Sequence, residues 1–181
     1  REGALTRVGQ GGLCPRVRAG QRWGVPRYLA IDLGERRTGL AVGDSVLRIA
    51  SPLEVIEVPS DREAGGALIA EIARSASSVG ADVLVVGLPL NMDGTEGARS
   101  KAVRALAGMI GAKVGRPVVF HDERLSTARA DWQMARTGMT RGEKKGRRDA
   151  IAAAAILQEF LDALAKEGGR TRGTTLRSEE H

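Results

Sequence analysis

The sequence predicts an α/β fold in which a five-stranded mixed sheet is flanked by helices, and three observations carry that expectation. Residues 28–58 read as three consecutive strands of an antiparallel meander. From residue 60 onward, helical and strand patterns alternate before the chain closes on helices. Between them lies Asp82–Gly87, DVLVVG, a short apolar run without alternation, as a central strand covered on both faces requires.

The meander begins with YLAIDLGERRTGLAVGD, Tyr28–Asp44, which reads as a strand, a tight glycine turn and a second strand. Period-two alternation places Tyr28, Ala30 and Asp32 on one side of the first strand and Leu29, Ile31 and Leu33 on the other. A carboxylate in such a segment costs several kcal/mol of desolvation unless a cation or hydrogen-bond donors compensate. The residues alone leave two readings open for Asp32, a metal ligand or the cap of the turn before Gly34. The third strand is Pro52–Val58, PLEVIEV, with Leu53 and Val55 sharing a face.

Ser60 to Glu63 has the spacing of a capping box, and Leu68, Ile72 and Val79 follow at helical intervals until Gly80 stops the helix. After the DVLVVG strand come the turn-rich loop LPLNMDGTEG and a helix with Ala102, Leu106 and Ile110 on one stripe. Pro117–Phe120 is the fifth strand, and His121, Asp122, Glu123 and Arg124 lie just beyond its end. Ser126 caps a helix reaching Thr137, where Gly138 ends it. The basic loop RGEKKGRR, 141–148, leads into a last helix over Asp149–Leu164. Its stripe of Ala152, Ala153, Ile156 and Phe160 includes Asp149 at ~100° per residue, so this acid points where the helix faces the sheet.

Composition bounds the rest. A chain of 181 residues holds one well-buried domain, and the pattern places it at 27–164, between a flexible basic arm at 1–26 and a polar, disordered tail at 165–181. The formal charge of +6 resides mostly in the arm, where residues 1–27 carry six Arg against one Glu, so only local clusters argue for a polyanionic partner. The single cysteine, Cys14, excludes a disulfide framework and a cysteine-rich zinc site, and the cytoplasm is the expected compartment. No apolar run approaches the ~18 to 20 residues of a membrane span, so no membrane partner is expected.

Three carboxylates stand out by position: Asp32 ending the first strand, Glu123 past the last strand, and Asp149 at the base of the closing helix. Taken singly, each also has an ordinary role as turn residue, surface acid or helix cap. Together, they are hard oxygen ligands suited to Mg²⁺ or Mn²⁺, which bind a few carboxylates plus waters and phosphate oxygens. The cations nearby, Arg36, Arg124, Arg141, Lys144, Lys145, Arg147 and Arg148, suit a phosphate-rich substrate. His121 has no Ser or Cys partner placed by a motif, and neither GxxxxGK[ST] nor HExxH occurs.

IDLGERRTGLAVGD, VVGLPLNMDGTEG, HDERLST and RRDAIAAAAILQEFL, in this order and spacing, resemble the signature blocks of the YqgF/RuvX family of the RNase H-like superfamily. The match runs from about Arg27 to Leu164. The resemblance implies an RNase H-like fold and a metal-dependent nuclease acting in 5′-end maturation of pre-16S ribosomal RNA, with precursor rRNA or ribosomal particles as partner. It places the family's acids on Asp32, Glu123 and Asp149. Holliday junction resolution on branched DNA is the alternative activity, and it calls for a homodimer rather than a monomer. A non-catalytic nucleic-acid or transcription-associated module is the rival from another class, disfavoured by the presence of all three acids. An actin-like ATP binder needs two such domains, and this chain has residues for one. In the superfamily's sheet order, a strand separates those of Asp32 and Glu123, about 10 Å apart at their backbones; Asn91 or Asp93 is then the alternative donor.

Overall fold

The computed structural model describes residues 25–59, 65–122 and 147–173, with side chains to 166. The five strands are β1 (Arg27–Leu33), β2 (Thr38–Asp44), β3 (Ala50–Ile56), β4 (Val83–Leu88) and β5 (Val118–Asp122). Three helices accompany them, α1 (Gly65–Val79), α2 (Ala98–Val114) and α3 (Arg148–Gly173). The sheet order is β3-β2-β1-β4-β5, with the first three strands antiparallel and β1, β4 and β5 parallel. This is the mixed sheet that the meander and the later alternation predict.

Strand alternation divides the apolar residues between two cores. On one face, Leu29, Ile31 and Leu33 pack with Leu68 and Ile72 of α1 and Leu106 and Ile110 of α2. On the other, Tyr28, Ala30, Val83 and Val85 pack with Ile156, Leu157, Phe160 and Leu161 of α3. The α3 side of the sheet is built from small residues, so the helix approaches closely: a Cβ on Gly43 would stand 3.2 Å from Leu157 Cδ2 and 3.2 Å from Leu161 Cδ1. The fully apolar pattern of β4 has its expected cause, since all six of its residues are buried between two neighbouring strands and two helical layers.

Three local expectations are corrected. The β2–β3 register jumps from Leu40↔Glu54 to Ala41↔Pro52, which leaves Leu53 as an extra residue. That bulge sets Leu53 and Ile56 against the α1/α2 core together, while Val55 sits opposite Gly39 rather than sharing a face with Leu53. β5 extends through His121 and Asp122, because their pairing with Gly87 and Leu88 carries the parallel ladder past Phe120. α3 begins at Arg148 and continues beyond Leu164 to Gly173, through part of the stretch expected to be a disordered tail; extending a formed helix adds one hydrogen bond per residue without a new nucleation cost. It is also buried all round over Ala150–Leu157, not along a single stripe. The expected capping box at 60–63 and the helix over 126–137 lie outside the described residues.

Candidate functional site

Asp32 stands one residue before the end of β1, half-buried, on the α3 side of the sheet with Tyr28 and Ala30. The turn that follows is tight: the Gly34 amide donates to the Arg37 carbonyl at 3.0 Å, and a Cβ at Gly34 would meet that oxygen at 2.5 Å. Arg36 is exposed on this turn, and exposed Arg37 pairs with Glu57 at 3.1 Å.

Asp149 comes to the same place from the far end of the chain. It is half-buried in the first turn of α3, whose start is marked by the Ile151 amide donating to the Arg147 carbonyl at 2.9 Å. The residue that joins the two acids is Gly39 of β2. Gly39 is the direct cross-strand partner of Asp32, and directly paired residues of an antiparallel ladder present their side chains to the same face. On that face, a Cβ at Gly39 would overlap the Asp149 carbonyl oxygen and stand 2.7 Å from the Ala150 nitrogen. With hydrogen in place of a side chain, the helix start rests on the β2 backbone next to Asp32.

Of the other predicted site residues, Arg147 and Arg148 are exposed at the start of α3, directly before Asp149. Glu123, Arg124, Arg141, Lys144 and Lys145 lie outside the described residues. β4 does separate β1 from β5, which keeps the strand leading to Glu123 two interstrand spacings, ~10 Å, from that of Asp32. Among the described residues, no three His, Cys, Asp or Glu side chains gather in a metal-holding group.

The 89–97 loop lies at the carboxyl end of β4, next to the end of β1, where ligand sites of open α/β sheets form. Asn91 and Thr95 close it: the Asn91 amide donates to the Thr95 carbonyl at 3.0 Å, and Asn91 Nδ2 donates to Thr95 Oγ1 at 2.9 Å. Asp93 Oδ1 accepts from the Thr95 amide at 2.9 Å and from its hydroxyl at 2.6 Å. This oxygen is thus engaged within the turn.

Sequence reasoning missed one polar pair on the α3 side. His121 Nε2 lies 3.1 Å from Glu159 Oε2, with the two side chains only 12% and 13% exposed. Phe160 stands edge-on to His121 and to Tyr28, with ring centroids 6.4 and 5.4 Å away. The available signal was Glu159 itself, an acid three residues from Ile156 on the apolar stripe.

The family model described as "RuvX: Holliday junction resolvase" matches residues 26–163, most of the chain. The chain belongs to the RuvX family. Its RuvX relatives include a protein of Anaeromyxobacter sp. (strain Fw109-5) that is 47% identical over 136 residues, covering 75% of this chain and 96% of the relative. Another, from Chloroflexus aurantiacus, is 36% identical over 143 residues and covers 79% and 91%. Both carry the name "Putative pre-16S rRNA nuclease". Among solved structures, RuvC of T. thermophilus in complex with a Holliday junction substrate superposes with a TM-score of 0.53 at 15% identity, over 77% of this chain and 96% of that one. That likeness establishes the RNase H-like fold of this RuvX chain. No helix among the described residues is long and apolar enough to cross a membrane.

Proposed function

We propose that this RuvX protein is a divalent-metal-dependent phosphodiesterase acting on structured RNA, with the 5′ end of pre-16S rRNA as its substrate. The observation that carries this reading is the Gly39 contact, which sets the backbone of Asp149 against the strand partner of Asp32. The donor chemistry fits a hard cation, since both groups are half-buried carboxylates delivered by rigid elements, a strand and a helix. Asp32 and Asp149 hold Mg²⁺ or Mn²⁺, and Glu123 serves as third ligand or as the base that orients the attacking water. When bound, the ion supplies Lewis-acid activation of water and neutralises charge at the leaving oxygen.

The chain's remaining task is to hold the phosphodiester. Arg147 and Arg148 directly precede Asp149, Arg36 extends from the turn after β1, and all three are exposed; with Arg124, Arg141, Lys144 and Lys145 they neutralise backbone phosphates on either side of the reacting one. The names of the RuvX relatives support the RNA substrate. The description of the family model favours a second reading, resolution of four-way DNA junctions, which requires a symmetric pair of subunits making paired cuts.

The test is cleavage of labelled precursor rRNA and a labelled four-way junction side by side, with Mg²⁺, with Mn²⁺ and with chelator. Precursor cleavage that needs a metal and disappears in Asp32→Asn, with the melting temperature preserved, is the expected result. A fully active Asp32→Asn protein overturns the site, junction cleavage alone selects the second reading, and cleavage of neither substrate reduces the protein to a binding module.

A further inference from the structure

The 89–97 loop carries an arrangement that neither the acids nor the cations explain. Its exposed polar groups bond to one another across the turn, and its two ends are bonded to α2. The Pro89 carbonyl accepts from the hydroxyl of Ser100, which is wholly buried. Asn91, Asp93 and Thr95 close on one another, and the Gly94 amide donates to the Asn91 carbonyl at 2.8 Å. Gly94 adopts φ 86°, a conformation that admits glycine readily. At the far end, Glu96 is gripped by Arg104 through two bonds of 2.6 and 2.8 Å, and the Arg104 guanidinium lies 4.4 Å from the centroid of the Phe120 ring in β5. The loop is tied to α2 at both ends and closed on itself in between.

At the tip of this turn stands Met92, 94% exposed. One exposed hydrophobic residue on a surface is ordinary. Here, however, a strap of hydrogen bonds and a left-handed glycine hold out an apolar side chain at the carboxyl end of β4, on the same edge of the sheet as Asp32. Among the described residues the next most exposed hydrophobic side chains, Val46 and Leu47, lie in the β2–β3 turn at the opposite end of the sheet.

We infer that Met92 is a wedge that inserts between adjacent bases of the RNA, where helical stacking gives way, and so sets which phosphodiester reaches Asp32 and Asp149. This rests on the nuclease reading above. Proteins that deform nucleic acids drive apolar side chains between base steps, and unstacked RNA bases are the usual targets of specific recognition. A thioether chain is suited to the task, being slim, unbranched and polarisable against an aromatic base. The braced turn fixes the tip before binding, so little ordering remains when RNA arrives.

The experiment uses the full chain in an Asp32→Asn background, so that no bond is cut, and an RNA hairpin with 2-aminopurine at the boundary between duplex and single strand. Binding should raise the 2-aminopurine fluorescence as the base unstacks. Met92→Leu should keep that rise, whereas Met92→Ala should abolish it and weaken binding by about tenfold. Both substitutions should leave the melting temperature unchanged, given the exposure of the side chain. An equal fluorescence rise with Met92→Ala, or no binding of the hairpin at all, overturns the wedge. Cleavage by the Asp32-containing protein is scored separately. A wedge signal without cleavage refutes the nuclease reading alone, and cleavage with a silent wedge refutes this inference alone.

Discussion

Replacing Gly39 with alanine perturbs the contact that joins the two halves of the site. The added Cβ would stand 2.7 Å from the Ala150 nitrogen, and recovering an ordinary contact of ~3.5 Å moves the start of α3 by about 0.8 Å, and by more at the Asp149 carbonyl. The obstacle is backbone, not the end of a side chain, so no rotamer change relieves it. Nor can α3 retreat freely, because Ile156, Leu157, Phe160 and Leu161 farther along the helix are buried in the core against the sheet. Overpacking of this kind costs about 3 kcal/mol, and a displacement near 1 Å in a catalytic group reduces turnover on the order of 100-fold. The assay pairs urea denaturation with metal-dependent cleavage under single-turnover conditions. Gly39→Ala should lower the midpoint and lose turnover together, while RNA affinity changes little because the exposed cations remain. Wild-type stability with wild-type turnover would refute the claim that Gly39 sets the spacing between Asp32 and Asp149.

Two further substitutions test the packing around this frame. Gly108 lies inside α2 with nothing within 4 Å of the position of a Cβ, so Gly108→Ala should stabilise the fold by about 0.5–1 kcal/mol, seen as a higher urea midpoint; a lower midpoint would show that this face of α2 is needed bare. Thr38 is wholly buried, and its hydroxyl has no hydrogen-bond partner among the described residues. Thr38→Val should therefore stabilise by about 1 kcal/mol at constant m-value, whereas destabilisation would mean that the hydroxyl is paired.

The elements were legible because their signals are local. Alternation in Tyr28–Leu33, the unbroken apolar run of β4 and the stop at Gly80, which adopts φ 64°, are each readable within a few residues. The cross-sheet consequences were not. A bulge at Leu53 requires knowing which residue of β2 opposes it, and the extension of β5 through Asp122 depends on Gly87 and Leu88 being available beside it. The His121–Glu159 pair joins a strand to a helix 38 residues later, and neither residue announces the other.

The candidate site divides in the same way. The sequence by itself determined the chemical inventory: an acid in a buried strand, an acid at the foot of the closing helix, a cluster of cations before it, and family blocks in the right order. Only the tertiary structure decided that the Asp149 backbone rests on Gly39, the strand partner of Asp32, and that the polar groups of the 89–97 loop bond to one another around an exposed Met92. The physical reason is that residue types and periodicity record each residue's preference for water or core, which is a one-body property. Which backbone may touch which is a property of pairs, and here it was settled by the absence of a side chain at a single position of β2.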